Sequence, residues 1–211
     1  SAMAPRSNAG PSADLAAAIA ATGLALGHEL TSEQIANIAL SIEPTDGVMI
    51  PGVALFDHRA GTIHESLGPP PPMEIVALDL GGTVDTVQFN MVDRFQRWKA
   101  VNEQTTEALR LLRKGIAEQD PVLVGQGASI SAEASQIVLS KPRIGEVKAF
   151  AESVGAVGIN VGHSGTIMGV LLDARERRGA STFHKAREAF PDANEVYHFR
   201  LMGGGVQQVK T

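Results

Sequence analysis

Four consecutive prolines, Pro69–Pro72, constrain this chain more than any other stretch of its 211 residues. Successive prolines form neither a helix nor a central strand, because each lacks a backbone N–H and its ring fixes φ. The chain must therefore change from one structural element to another at this point. We predict a domain boundary here, with one domain over residues 1–68 and a second over residues 73–211.

The composition indicates a globular protein. Hydrophobic residues make up 44% of the chain and charged residues 19%, and the net charge of -5 argues against a nucleic-acid partner. The absence of cysteine excludes disulfides, thiolate catalysis and cysteine-based metal sites, and it fits a cytoplasmic protein. No apolar run reaches the roughly 20 residues that are needed to cross a bilayer, so we expect no membrane partner.

The residues before the prolines predict two helices and a hairpin. Ser12 is placed as the cap of an alanine-rich helix, which is expected to be buried on most of its sides. Thr31 offers a second helix start, and Pro44 with the turn signal at Asp46 and Gly47 ends that second helix. The expected helices span residues 15–26 and 31–42, and the expected strands span residues 53–56 and 62–65.

The residues after the prolines alternate between β-prone runs and helical periodicity. Expected strands lie at residues 74–80, 157–161, 167–172 and 195–201, and expected helices at about 91–118, 121–139, 144–154 and 180–190. That order predicts an α+β fold, with helices on one face of a small antiparallel sheet.

Three stretches are candidates for chemistry, and the first is the N-terminal loop and helix start at residues 6–14. A loop of small residues that enters a helix presents free backbone N–H groups and a positive dipole end, which suit a phosphate. The alternative is an ordinary capped helix.

The second candidate is the turn at Glu43–Asp46. Two carboxylates and a hydroxyl on a proline-stiffened turn are suited to hold Mg²⁺ or to activate a substrate hydroxyl. The alternative is a hydrophilic turn after a helix.

The third candidate is the turn Gly162–Gly165 between two expected strands. Its glycines let a ligand approach the backbone, and His163 and Ser164 would bind substrate or simply cap the turn. A catalytic triad of Ser164, His163 and an aspartate is rejected, because adjacent residues on a turn do not reach the required geometry. The alternative is again a purely structural turn.

The order and content of these stretches resemble the GHMP small-molecule kinases, and within them the L-threonine kinases of cobalamin nucleotide-loop assembly. The segments that carry the resemblance are residues 12–17 (Ser-Ala-Asp-Leu-Ala-Ala), 41–46 (Ser-Ile-Glu-Pro-Thr-Asp), 55–58 (Leu-Phe-Asp-His), 158–165 (Gly-Ile-Asn-Val-Gly-His-Ser-Gly), 169–173 (Gly-Val-Leu-Leu-Asp) and 200–206 (Arg-Leu-Met-Gly-Gly-Gly-Val). The resemblance implies a GHMP-kinase-like two-domain α+β fold, with a partial N-terminal ATP-binding domain and a ferredoxin-like C-terminal domain.

The resemblance also implies a role for each candidate residue. Asp46 would be the catalytic aspartate at the acceptor hydroxyl, and Glu43 would assist Mg²⁺. The turn formed by Gly162, His163, Ser164 and Gly165 would contact substrate. The ATP phosphates would lie on the remaining candidates, which are Ser7, Asn8, Ala9, Gly10 and Ser12. The implied cofactors are ATP and Mg²⁺, and the implied substrate is a small amino acid that bears a hydroxyl.

Two departures from the family pattern leave alternatives open. Gly10 and Pro11 stand where the family's phosphate loop usually has two serines, so the hydroxyl that contacts Mg²⁺ is missing unless Ser12 supplies it. The family's substrate-side motif, Pro-Gly-Ser-x-Gly-Glu, has no counterpart here. The first alternative is therefore a catalytically inactive binding or partner protein, with a homodimer as one arrangement. A family member that acts on homoserine or a sugar is the other.

Overall fold

A computed structural model describes residues 11–81, 99–137, 139–162 and 166–208. It divides the chain into two compact units, Ser1–Pro69 with Met202–Thr211, and Pro70–Leu201. The division falls inside the run of prolines. The C-terminal tail groups with the first unit and not with residues 73–201, because Gly204 exchanges backbone hydrogen bonds with Gly52.

The first unit contains two helices and a hairpin. Helix α1 spans Pro11–Ala25 and α2 spans Ser32–Ile42, while β1 (Val53–Phe56) and β2 (His64–Gly68) pair antiparallel. Helix α2 begins with a capping box. The Gln34 N–H donates to the Thr31 hydroxyl at 3.2 Å, and the Thr31 N–H donates to the Gln34 side chain at 2.8 Å.

The core of the first unit is small and covers one side of α1. Its buried members are Ala16, Ala20, Ile35, Ala36, Ala39, Met49 and Ile50. Ala17, Ala21 and Leu24 are exposed, so the expectation that α1 is buried on most of its sides is wrong. Within the described part of the chain, α1 packs against α2, β1 and the loop that carries Met49 and Ile50, which together cover a single face.

The second unit is built on a four-stranded antiparallel sheet in the order β4-β5-β3-β6. The strands are β3 (Met73–Asp79), β4 (Gly158–Val161), β5 (Ile167–Asp173) and β6 (Glu195–Arg200). The central strand β3 pairs with β5 on one side and with β6 on the other. This arrangement confirms the predicted α+β class.

The helices of the second unit supply the rest of its core. They are α3 (Asn102–Glu118), α4 (Pro121–Ala134), α5 (Ile144–Ser153) and α6 (Gly179–Ala189). Helix α4 ends at Ala134 and continues as a 3₁₀ turn over Ser135–Ile137, so the helix expected to reach residue 139 is shorter. The part of the expected helix over residues 91–98 lies outside the described residues.

Helix α4 contacts β4 through two glycines. A Cβ on Gly158 would overlap the carbonyl oxygen of Gly125, and a Cβ on Gly125 would overlap that of Val157. Ser129 ties the two elements together, because its hydroxyl donates to the Gly125 carbonyl at 2.9 Å and accepts the Ile159 N–H at 3.0 Å. The absence of side chains at these glycines therefore allows the backbones of helix and strand to touch.

Candidate functional site

The turn that follows α2 carries the two predicted carboxylates. Glu43 leaves the helix in an extended conformation with φ -157° and ψ 159°, as expected for a residue that precedes proline. Its N–H still donates to the Ala39 carbonyl at 3.0 Å, which closes the last helical turn. Glu43 and Asp46 are both exposed to solvent, so their carboxylates are accessible to a ligand.

Asp46 lies beside the N-terminus of α1. Its backbone N–H donates to the Ser12 hydroxyl oxygen at 3.2 Å, although the two residues are 34 positions apart. Ser12 belongs to the first turn of α1, where backbone N–H groups lack helical partners and the helix dipole is positive. The fold thus brings together two residues that the sequence assigned to one site. Ser7, Asn8, Ala9 and Gly10, the other predicted phosphate contacts, lie outside the described residues.

Thr45, between the two carboxylates, faces the interior of the first unit. It is only 2% exposed, and its N–H donates to the His58 carbonyl at 3.1 Å. Its hydroxyl oxygen is buried and has no hydrogen-bond partner among the described residues. A buried polar group without a partner costs about 1–3 kcal/mol.

Backbone hydrogen bonds join the loop after Asp46 to the C-terminal tail. The Gly52 N–H donates to the Gly204 carbonyl at 3.2 Å, and the Gly204 N–H donates back to the Gly52 carbonyl at 2.8 Å. The Gly205 N–H donates to the Val48 carbonyl, also at 2.8 Å. The tail segment at residues 200–206, which entered the sequence resemblance without a role, thus contacts the loop that follows the predicted catalytic aspartate.

Asp57 is a structural carboxylate in the hairpin between β1 and β2. It accepts hydrogen bonds from the N–H groups of Arg59, Ala60 and Thr62, and from the Thr62 hydroxyl at 2.7 Å. The Thr62 hydroxyl, followed by these backbone donors, holds the pKa of Asp57 below its ordinary value. Its oxygens are engaged within the turn, so we assign Asp57 to the hairpin and not to ligand binding.

The third predicted stretch lies in the second unit, between β4 and β5. The Gly162 N–H donates to the Ile167 carbonyl at 2.9 Å, so the two strands remain paired up to the turn. His163, Ser164 and Gly165 lie outside the described residues.

Asp79, a residue that the sequence did not single out, stands at the end of β3 and pairs with Ile167 at the start of β5. Its carboxylate accepts the Thr166 hydroxyl at 2.8 Å and the Gly81 N–H at 3.1 Å. The Thr166 hydrogen bond, followed by that of Gly81, holds the pKa of Asp79 below its ordinary value. Asp79 thereby fixes the first residue after the glycine turn. The sequence offered one signal for it, an aspartate at a strand end before a glycine pair.

The described residues give no independent metal centre. Across 11–81, 99–137, 139–162 and 166–208, no group of three or more histidine, aspartate or glutamate residues has the spacing to hold an ion. In the same ranges, none of the helices has the length and apolar character to span a membrane.

Comparison with known proteins places these observations in a family. The family model of the C-terminal part of GHMP kinases matches residues 112–192. The L-threonine kinase of Citrobacter freundii is 30% identical over 205 residues, which cover 94% of this chain and 70% of that protein. The L-threonine kinase of Salmonella typhimurium is 34% identical over 167 residues, which cover 79% of this chain but 56% of that protein.

Solved structures share the fold at much lower sequence identity. L. major mevalonate kinase, crystallised with R-mevalonate, superposes with a TM-score of 0.71 at 14% identity, over 92% of this chain and 66% of that one. Homoserine kinase from Cytophaga hutchinsonii gives 0.67 at 15% identity, over 92% and 65% of the two chains. These likenesses concern the fold alone.

Proposed function

The chain belongs to the GHMP kinase family, and from that premise we propose that it transfers the γ-phosphoryl group of ATP to the hydroxyl of a small amino acid, L-threonine. The observation that carries the proposal is the hydrogen bond from the Asp46 N–H to the Ser12 hydroxyl, because it holds an exposed carboxylate at the N-terminus of α1. The two relatives described as L-threonine kinases support the choice of acceptor.

Asp46 would act on the acceptor hydroxyl. Its carboxylate orients the hydroxyl and takes its proton as the hydroxyl oxygen forms a bond to the γ-phosphorus. The bond from the γ-phosphorus to the bridging oxygen breaks at the same time, and its electron pair leaves with ADP. Such a transfer depends mostly on positioning and charge stabilisation, so a single well-placed carboxylate is sufficient protein chemistry.

The N-terminus of α1 would hold the ATP phosphates. The backbone N–H groups in the first turn of a helix and its positive dipole end favour a polyanion, and residues 7–10 with Ser12 would surround it. The Glu43 carboxylate and the Ser12 hydroxyl would hold Mg²⁺, because they are oxygen ligands of the kind that this ion prefers. When bound, Mg²⁺ supplies neutralisation of phosphate charge.

The turn Gly162–Gly165 would contact nucleotide and substrate. Support comes from the paired strands that lead into it and from Asp79, which fixes Thr166 beside it.

We further propose the nucleotide-loop branch of cobalamin synthesis as the pathway and the cytoplasm as the location, with a homodimer as the assembly to test.

The proposal is tested with protein made from the whole coding sequence, since this chain spans about 56% of the Salmonella relative. ATP, Mg²⁺ and L-threonine should yield ADP and O-phosphothreonine, and homoserine and serine serve as rival acceptors. Asp46→Asn should lower kcat by about 10²- to 10⁴-fold, the usual contribution of a general base, with an unchanged unfolding midpoint because Asp46 is exposed. Turnover of the variant at the unaltered rate would remove Asp46 from catalysis.

A second candidate function is a binding protein without turnover. The exposed apolar side of α1, which includes Ala17, Ala21 and Leu24, favours it because such a surface is typically covered by another polypeptide. Calorimetry separates the two candidates: a protein that forms a stable oligomer and binds no ATP in the presence of Mg²⁺ is not a kinase.

A further inference from the structure

The C-terminal tail and the loop after Asp46 form an irregular two-stranded contact between distant parts of the sequence. Gly52 and Gly204 bond each other in both directions, as residues of an antiparallel bridge do, and Gly205 bonds Val48. Gly68 lies on the other side of Gly52 in a second, parallel bridge. Gly52 is thus enclosed by backbone on two sides.

Gly204 is located where no other residue fits. A Cβ at this position would lie 2.7 Å from the Ile50 carbonyl oxygen and 2.9 Å from that of Val48. Both atoms are backbone, so they move only if the loop moves. The close approach explains why the tail carries glycine here and makes Gly204 sensitive to the position of the loop.

The loop that contacts the tail is close to Asp46 in sequence, and two of its side chains are buried in the core. Val48 is two residues from Asp46, and between Val48 and Gly52 the side chains of Met49 and Ile50 are 0% and 6% exposed in the core of the first unit. The Gly47 carbonyl accepts the Ile50 N–H at 3.0 Å, which closes a turn directly after Asp46. On its other side, Asp46 is held by Ser12.

We propose that Gly204 and Gly205 are positioning residues for Asp46. The tail holds the loop over residues 47–52 against the core, and Ser12 holds the other side, so the aspartate has a fixed backbone location at the N-terminus of α1. This inference rests on the proposed kinase activity and deepens it, because it assigns a catalytic purpose to a segment more than 150 residues away in sequence.

Gly204→Ala in the protein made from the whole coding sequence tests the proposal. The added methyl displaces the loop, so kcat should fall about 10- to 100-fold, the usual cost of a misplacement near 1 Å, while KM for ATP and for threonine stays within about twofold. Hydrogen exchange at the Gly52 amide should become faster, because its bond to the Gly204 carbonyl is weakened.

The matched control is Gly145→Ala, at an exposed position in α5 where a Cβ would meet no atom within 4 Å. It should leave kcat and the exchange of Gly52 unchanged. If Gly204→Ala fails to fold, a chain that ends at Met202 replaces it, because this deletion removes the three hydrogen bonds without adding a methyl. A chain that ends at Val206 then serves as the control, since it keeps those bonds.

A folded Gly204→Ala protein with unaltered kcat would overturn the proposal, and so would unaltered exchange at the Gly52 amide. An equal rise in KM for both substrates would also count against it, since positioning of Asp46 predicts a loss in kcat. If the unmutated protein transfers no phosphoryl group, the proposed function itself fails, and the exchange data alone then decide whether the tail holds the loop.

Discussion

The two units of this protein differ in how completely their helices and strands are buried. In the second unit, the sheet residues Val76, Leu78, Val170 and Leu172 are at most 1% exposed, and α4 lies on β4 with backbone touching backbone. In the first unit, a two-stranded sheet and two helices leave one face of α1 in solvent. Each unit contains one buried side-chain oxygen without a hydrogen-bond partner among the described residues, Thr45 Oγ1 in the first and Glu74 Oε2 in the second.

The more fully packed unit is therefore not the unit that holds the residues proposed for catalysis. The residues proposed for catalysis, Ser12 and Asp46, lie in the unit whose first helix is less covered. Thr45, next to Asp46, has a buried hydroxyl that lacks a hydrogen-bond partner within the described ranges.

We expect the largest change in the free energy of unfolding from a substitution in the second unit. Gly158→Ala forces a methyl onto the Gly125 carbonyl oxygen and should lower the free energy of unfolding by about 3 kcal/mol, at the upper end of overpacking costs. Denaturant unfolding monitored by circular dichroism measures it, with Gly145→Ala as the neutral control. A loss below about 0.5 kcal/mol would show that helix and strand separate easily, and the contrast between the units would disappear.

Thr45→Val tests the first unit, and we expect it to raise the free energy of unfolding instead of lowering it. Removal of a buried hydroxyl without a partner should raise the free energy of unfolding by about 1 kcal/mol, because the variant no longer buries an unsatisfied polar group. The comparison variant is Thr62→Val, which loses the hydrogen bond to Asp57 and should be destabilised. Were Thr45→Val less stable than the unmutated protein, the hydroxyl would have a structural partner, and the first unit would be better satisfied than described.

The smallest expected effect concerns stability in acid, and we expect it in both units. Asp57 in the first unit and Asp79 in the second both have a pKa below the ordinary value of 3.8, because hydroxyl and backbone groups donate to their carboxylates. A lowered folded-state pKa stabilises the fold above pH 3.8, and this contribution is lost as the pH falls through the folded value.

Unfolding measured between pH 5 and about pH 2 should therefore show a shallower acid loss in Asp57→Asn and in Asp79→Asn than in the unmutated protein. If the dependence on pH is the same in all three proteins, these hydrogen bonds do not favour the ionised carboxylates.

Local signals in the sequence were sufficient for much of the fold. Thr31 marked the start of α2, and glycines between two β-prone runs predicted the β4 and β5 pair that the structure contains. Each of these depends on neighbours within a few residues, for which residue type and spacing carry the information.

The features that the sequence missed all depend on partners far along the chain. The exposure of α1 is decided by which elements are available to cover it, and an alanine-rich helix looks the same in either case. Asp79 gains its role from Thr166, 87 residues later. The hydrogen bond between Ser12 and Asp46 also has no local signal, because no sequence pattern links the first turn of a helix to a turn 34 positions away; Ser12, expected as a cap, lies within that first turn.

The bridge between Gly52 and Gly204 also sets the order in which the polypeptide can mature. A ribosome releases the chain from its N-terminus, so the loop that carries Asp46 emerges long before the residues that will bond to it. All strands of the four-stranded sheet precede the tail and can assemble first. The bridge closes a loop of roughly 150 residues, so the positioning of Asp46 proposed above should be acquired only after Gly204 has left the ribosome.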